Sequence, residues 1–389
     1  MGIIFNIDEA IKNSAFNVLQ EPVKMILDNQ TEAYEKESII KKVFVVKTTD
    51  RYMEEYRSTT SMDGFRPTED MEVAPISDFE ESYSVKYTFQ PWTNSFVISK
   101  QTMEDGKLMD VDMKAHAFIK GYNRTREQYA VSMIGAGLGN VYDDLKITKN
   151  SGLGMDTVDG DIEGTRQQYF HNKHKTVKLK DGRAQIEQSN KFTATLNLSD
   201  GVTPDLEEKI LDVLGQVEAK MAVYKDDKGN IVPVEVDTIV IGKNYRLVDI
   251  LMRGLKSRYG AAMGGNGINT QYGKYEIVVS PYLSGIEGFR DADGGMLLLS
   301  KERNKEGLGL TWFDRKPLEV RSYKDDKTEA NIWAGRARWG AGFGDFRAMS
   351  YVSFPQAGAS GKATVNADVI TPVTTGVKAV NVVAQKAAN

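Results

Sequence analysis

The 389-residue chain contains no cysteine. That removes disulfides, thiolate metal sites and cysteine nucleophiles, and it suits folding in a reducing compartment. Histidine is nearly as scarce, with three residues, so imidazole chemistry has few places to sit. Positive charge is not in excess. The 50 Lys and Arg against 54 Asp and Glu give a formal net charge of −4, which argues against a strongly basic domain that grips nucleic acid. No run of about 18 apolar residues occurs, so no segment reads as a membrane-spanning helix. Residues 1–16, MGIIFNIDEAIKNSAF, lack the basic start and long apolar stretch of a secretory signal. The expectation is a soluble, mixed α and β chain of two or three structural units.

Motifs that carry chemistry are imitated but not completed. Residues 133–140, MIGAGLGN, look like a dinucleotide-binding loop, which must follow a buried strand and open a helix. Here Gly135, Gly137 and Gly139 close the strongest helical pattern in the chain, and Asn140 stands where the third glycine belongs. They read as a helix stop and turn. The Gly-Lys pairs at Gly106, Gly242, Gly273 and Gly361 lack the Ser or Thr of a P-loop. GASG near Ser360 misses the nucleophile-elbow pattern. Asp159, Asp161, Glu163 and Gly164 imitate a calcium loop, but Phe170 replaces its bidentate glutamate, leaving an acidic turn. His171 and His174 are spaced like helical metal ligands, with lysines around them and no third ligand. His116 falls inside the long helix. The expectation is no catalytic residue, no cofactor-binding residue, no metal ligand and no cofactor.

What the chain does contain is unusual architecture. Residues 21–46 read as one or two helices running into a strand. Tyr83, Val85, Tyr87 and Phe89 alternate with Ser84, Lys86, Thr88 and Gln90, a period-two strand signal. Its expected partner is KKVFVVKTT, residues 41–49. Between them, residues 50–81 carry ten acids and only three arginines, a net −7, with little apolar content. A long hairpin of this composition cannot stabilise itself in water and should lie across another molecule.

Val111, Ala115, Phe118, Tyr122, Thr125, Tyr129 and Met133 recur at spacings of three and four, predicting a helix of about 25–30 residues and roughly 40–45 Å. Thr102 and Asp105 fit a capping box ahead of it. A glycine-rich, charged connection follows to about residue 200. Thr203-Pro204 opens an amphipathic helix. IVPVEVDTIVIG, NYRLVDILMRGLKSRYG, KYEIVVSPYL and GGMLLLSK then predict a strand, helix, strand and short strand, a compact α/β block. Aromatic-rich strands close the fold. The tail beyond Pro355 is Val/Thr-rich and weakly charged, a β-type extension or a segment that orders only against neighbours.

This order of parts resembles the major capsid protein of tailed bacteriophages, the Hong Kong 97-like fold. The resemblance covers nearly the whole chain. It is carried by VDTIVIGKNYRLVDILMRG with YEIVVSPYL, by WFDRKPLEVRSYKDD and ARWGAGFGDFRAMSYVSF, and by YFHNKHKT with QSNKF, which is similar to the Mu-like head-subunit branch. The resemblance implies an α+β fold with N-arm, extended E-loop hairpin, long spine helix, P domain and A domain. The divisions are 1–47 for the N-terminal arm, 48–100 for the E-loop hairpin, and 101–200 for the P domain with spine helix and connection. Residues 201–315 form the A domain, 316–354 the closing P-domain strands and 355–389 the C-terminal extension.

It implies a structural protein, not an enzyme, that self-assembles into hexamers and pentamers of an icosahedral shell. That shell is a virion capsid assembled in the bacterial host cytoplasm. Implied partners are copies of itself, scaffold and portal proteins, a decoration protein, and packaged double-stranded DNA contacted non-specifically, with no membrane. Some members of the family crosslink an E-loop lysine to a neighbour. No lysine occurs from Thr48 through Val85, which points to a shell that is not crosslinked. No scaffolding segment is visible ahead of the arm, so scaffolding is expected as a separate or already removed piece. Two alternatives stand beside this reading: an encapsulin-like nanocompartment shell, and an enzyme of unrecognised type that would need a pocket with perturbed titratable groups.

Overall fold

The computed structural model describes residues 4–7, 23–29, 34–35, 37–74, 76, 81–105, 108–157, 166–177, 179, 182–196, 204–258, 268–290, 294–354 and 368–371. The calcium-like turn at 159–164, the GASG segment and most of the tail lie outside the described residues.

In chain order, β1 (Ile4–Ile7) precedes a helical stretch at 23–29, then α1 (Ile39–Val43) runs into β2 (Val45–Thr48). Ser38 caps α1 by accepting the Ile40 N–H, so the arm is held locally as well as by packing. The hairpin is β3 (Met53–Thr59) against β4 (Glu81–Thr88), with Tyr56 opposite Val85. This corrects the expected pairing. Val45–Thr48 instead lies parallel beside residues 311–314, where its backbone pairs with that end of the long strand's edge.

Next come β5 (Gln90–Ile98), the short α2 (Lys100–Glu104) and α3 (Leu108–Gly137). Thr102 lies inside α2, and Ser99 takes the capping role by accepting the Thr102 N–H at 3.3 Å. The 30-residue α3 buries Val111, Ala115, Phe118, Tyr129 and Met133 of the expected stripe, while Tyr122 and Thr125 are half-buried. It ends as read from the glycines. Gly139 takes φ +101°, a left-handed conformation open to glycine, and its N–H closes on the Ala136 carbonyl.

The connection holds β6 (Leu153–Thr157), β7 (Arg166–Gln168), β8 (His174–Lys175), β9 (Glu187–Gln188) and β10 (Lys191–Ala194). After α4 (Pro204–Ala222) come β11 (Thr238–Gly242), α5 (Tyr245–Lys256), β12 (Glu276–Ser280), β13 (Gly295–Leu299) and α6 (Lys301–Gly307). The strand expected over 231–242 is shorter, because the stretch containing Pro233, which has no N–H for a ladder, stays irregular until Thr238. The chain closes with β14 (Leu310–Lys324), β15 (Asn331–Phe343), β16 (Met349–Ser353) and β17 (Asp368–Ile370). Because β14 is continuous, a division at residue 315 falls within one strand.

Two sheets result. One runs β1-β14-β15-β5, with β2 also on β14, and packs one face on α3 through Trp312, Trp333 and Trp339. Trp92 stacks on Trp339 and Phe96 on Trp333 across neighbouring strands, pairs of the kind worth about 0.5–1.5 kcal/mol each beyond area burial. The other sheet runs β12-β11-β13-β16-β10-β17. It is apolar on both faces: Ile239, Ile241, Met296 and Leu298 meet α4 and α5, while Val240, Leu297 and Leu299 join the α3 core. Among the described residues no helix is long and apolar enough to cross a membrane.

Candidate self-association interface

The hairpin is anchored at its base and bare at its tip. At the base, Val85, Tyr87 and Phe89 bury against Phe313, and Tyr56 stacks on Phe313 at 6.0 Å between centroids. The base sits directly on β15 because Gly340 and Gly342 lack side chains there; a Cβ at either would collide with Thr88 or Tyr87. The Tyr87 hydroxyl donates to the Phe343 carbonyl at 3.3 Å, and burial pushes its phenol up.

Beyond the strands, Thr60 is 2% exposed, and then the character changes. Asp63 pairs with Lys228 at 3.0 Å, and Lys228 sits on a turn built by Asp226, which accepts the N–H groups of Lys228 and Asn230. Past this clasp, Phe65, Met71, Val73 and Ile76 are 109%, 96%, 83% and 97% exposed. Arg66 pairs locally with Glu72, while Glu69 and Asp70 make no ion pair among the described residues. Four large apolar side chains thus stand exposed on one acidic loop, the kind of surface that makes it a candidate contact site.

Two buried polar networks fix the scaffold that presents this loop. Arg126 of α3 forks onto Asp314 of β14 at 3.0 and 3.2 Å, beneath the rings of Trp312 and Trp339. Asn190 joins three segments. Its Oδ1 accepts from the His171 N–H and lies 2.9 Å from His174 Nε2, while its Nδ2 donates to the Tyr169, Phe346 and Met349 carbonyls. Nearby, Asp345 is held by Arg303 at 2.7 Å and Arg347 at 3.1 Å. Burial opposes ionisation of Asp345, but the two guanidiniums hold its carboxyl below the usual range.

Of the described residues singled out for chemistry, only His171 and His174 come together, with ring centroids 6.0 Å apart around Asn190. His174 is fully buried, stacked on Phe346 with its ring at 4.1 Å, and serves packing and the Asn190 hub. His171 accepts the Lys173 N–H through Nδ1. His116 is half-buried on α3. Gly135 and Gly137 pack the helix end closely against Tyr142 and Phe343. Among the described residues no group of three His, Asp or Glu could hold a metal ion. Sequence reasoning missed the Lys228 clasp and the joining role of Asn190. It also missed a row of cations on β14 and β15, although the alternation Arg336, Arg338, Gly340, Gly342 was there to read.

No protein-family model matches the chain, and no curated protein sequence matches it. Solved structures similar to it include the capsid of Myoviridae phage XM1, 10% identical, covering 82% of this chain and 92% of that one at a TM-score of 0.47. The capsid of cyanophage P-SCSP1u is 11% identical, covering 82% and 89% at 0.47. A virus-like particle from Pyrococcus furiosus is 8% identical, covering 85% and 98% at 0.42.

Proposed function

We propose that the chain is a major capsid protein of the tailed-bacteriophage kind, assembling into hexamers and pentamers of an icosahedral shell around packaged double-stranded DNA. One observation carries the reading: a hairpin rooted in the closing sheet whose acidic, apolar tip stays exposed among the described residues. Symmetric copies of one subunit supply such cover to one another, each giving a tip and receiving one. The surrounding parts fit the same role. A 30-residue helix braces the sheet that roots the hairpin, and buried Arg126–Asp314 locks the two together. Residues 1–47 act as the arm, 48–100 as the E-loop, and the α/β block from 201 as the part that meets the capsomer axis. Scaffold, portal and decoration proteins are the expected partners in a host cytoplasm. With no lysine from 48 through 85, the shell is held by non-covalent contacts at the hairpin.

The test is negative-stain electron microscopy with light scattering of the expressed chain, alone and with the proteins encoded beside it. Closed shells or five- and six-membered rings are expected. A monodisperse monomer under every condition would overturn the reading. Extraction of nucleic acid rather than a cargo protein separates a phage head from an encapsulin-like shell.

A further inference from the structure

Between α3 and the sheet of β14, β15 and β5 lies an aromatic cavity of about 220 Å³. Its walls are Trp92 of β5, Trp339 of β15, Leu318 of β14, and Phe118 and Tyr122 of α3. The space has a simple origin. The long helix presents glycine at 121, and no atom lies within 4 Å of the position a Cβ would take there. The sheet wall is stiff. Trp92 lies flat on Trp339 with centroids 4.9 Å apart, and the Arg126 guanidinium lies over the Trp339 ring at 5.4 Å.

The enclosed and unmet polar atoms of these walls are both donors. Trp339 is 1% exposed and its Nε1 has no acceptor; Nε1 of Trp92 is shielded from solvent and unmet in the same way. An indole N–H normally finds a partner when buried, and one left without is costly. Arg124 adds a cation at the opening, exposed and without an ion pair among the described residues. Thr125 donates its hydroxyl to the Gly121 carbonyl at 2.9 Å, and Asn94 Oδ1 accepts the Ser95 N–H at 2.9 Å, so both are engaged within their own elements. No Asp or Glu lines the cavity among the described residues.

Size and polarity together select an occupant. An apolar cavity of about 150 Å³ is enough to take a benzene ring, so this one accepts a single ring or a short chain and excludes anything as large as a nucleotide. Two indole donors and a guanidinium, with no acid beside them, call for an oxyanion. We propose that the cavity binds a small organic carboxylate. Its apolar body packs between Phe118, Leu318 and the tryptophans, and its carboxylate accepts from the two indole N–H groups and from Arg124. The site lies at the joint between helix and sheet that Arg126 and Asp314 lock, so a ligand held there stabilises the folded subunit. It stands independently of the self-assembly reading.

Benzoate is the probe, and the tryptophans themselves report on it. Titrated into the full-length chain, benzoate should change tryptophan emission saturably and raise the unfolding temperature. Acetate, which lacks the ring, and benzyl alcohol, which lacks the charge, should each bind at least tenfold more weakly. Arg124→Gln removes the cation from an exposed position that folding does not depend on. It should weaken benzoate at least tenfold and leave benzyl alcohol unchanged, as expected for a hydrogen bond between charged groups. Trp92→Phe keeps a stacked ring, deletes one N–H and should also weaken benzoate. The absence of a saturable response to benzoate overturns the proposal. Equal affinity for benzoate and benzyl alcohol overturns it too, because the cavity is then a plain apolar void. Benzoate binding that is unchanged in both variants places the ligand elsewhere and has the same consequence.

Discussion

Arg126 and Asp314 lie 188 residues apart, yet their side chains form a two-pronged ion pair that joins the long helix to the closing sheet. Trp312 Nε1 also donates to Asp314 Oδ1 at 3.0 Å, so the carboxylate serves two buried donors. Removing the guanidinium leaves that carboxylate largely enclosed and short of counter-charge. Arg126→Ala should destabilise the subunit by about 3–5 kcal/mol, the usual cost of breaking one side of a buried pair. Arg126→Lys should recover only part of this, because an ammonium cannot fork onto both oxygens or lie flat over Trp312. Calorimetric unfolding of the two variants checks the order. Equal stability of Lys and wild type would mean that only charge matters at this joint.

Asn190 offers a prediction with a sign in pH. Its Nδ2 faces the carbonyls of Tyr169, Phe346 and Met349 in a fully buried site. In Asn190→Asp an oxygen replaces the donor, and an ionised carboxylate would face three carbonyl oxygens. The folded state therefore favours the protonated acid, which can still donate once, and the pKa of the new group rises on folding. Its stabilising contribution is fully present below the unfolded value of about 4 and is lost as pH rises through the raised folded value. Asp345 runs the other way: its folded pKa is depressed below 3.8, so its contribution is present above that value and lost as pH falls through the depressed one. Measured as a gap in unfolding temperature between variant and wild type, the deficit of Asn190→Asp should widen from mildly acidic to neutral pH. A gap independent of pH would show that the new carboxylate escapes to water.

The parts of the fold that announce themselves in the sequence are those set by local periodicity. Val111 to Met133 repeats at helical spacing and is a helix; Tyr83 to Phe89 alternates and is a strand. The unbroken apolar run Ile239–Val240–Ile241 is a strand with both faces buried, so it reads as continuous and not alternating. Pairing was less legible. Residues 41–49 and 53–59 are both strand-compatible, and which of them meets β4 depends on the distant edge of β14, which Val45–Thr48 covers. The candidate interface divides in the same manner. The acidic excess of residues 50–81 is a composition and could be read directly. The Lys228 clasp and the Asn190 hub depend on side chains that meet only after the two sheets are built, and no spacing in the chain encodes them.

Two glycines should respond to alanine in opposite directions. A Cβ on Gly152 would fall inside the carbonyl group of Ala136, a backbone atom in the last turn of α3 that cannot swing aside. Gly152→Ala should cost about 1–3 kcal/mol by overpacking. Gly121, in the middle of α3, has open space around its would-be Cβ. Gly121→Ala should gain up to about 1 kcal/mol from helix propensity alone. Unfolding temperatures of the isolated subunit decide both. If Gly121→Ala stabilises the subunit yet blocks assembly, that side of the helix is covered by a neighbour in the shell.

Phe65 is fully exposed in the free chain and is followed by Arg66, so chymotrypsin can cut after it. Trypsin is a poor probe at the same place, because Pro67 follows Arg66. Limited chymotrypsin digestion of the free subunit should split the chain after residue 65 early, and Phe65→Ala should abolish that product. In assembled particles the same cut should slow at least tenfold, because a neighbouring copy covers the tip. Weakening the clasp with Asp63→Ala should leave stability nearly unchanged, since a half-exposed ion pair is worth about 0–1 kcal/mol. It should nevertheless speed cleavage in the free subunit by loosening the loop. Closed particles that are cut after Phe65 as fast as free subunits would show that the tip stays in water after assembly, and the hairpin would then have no part in holding the shell together.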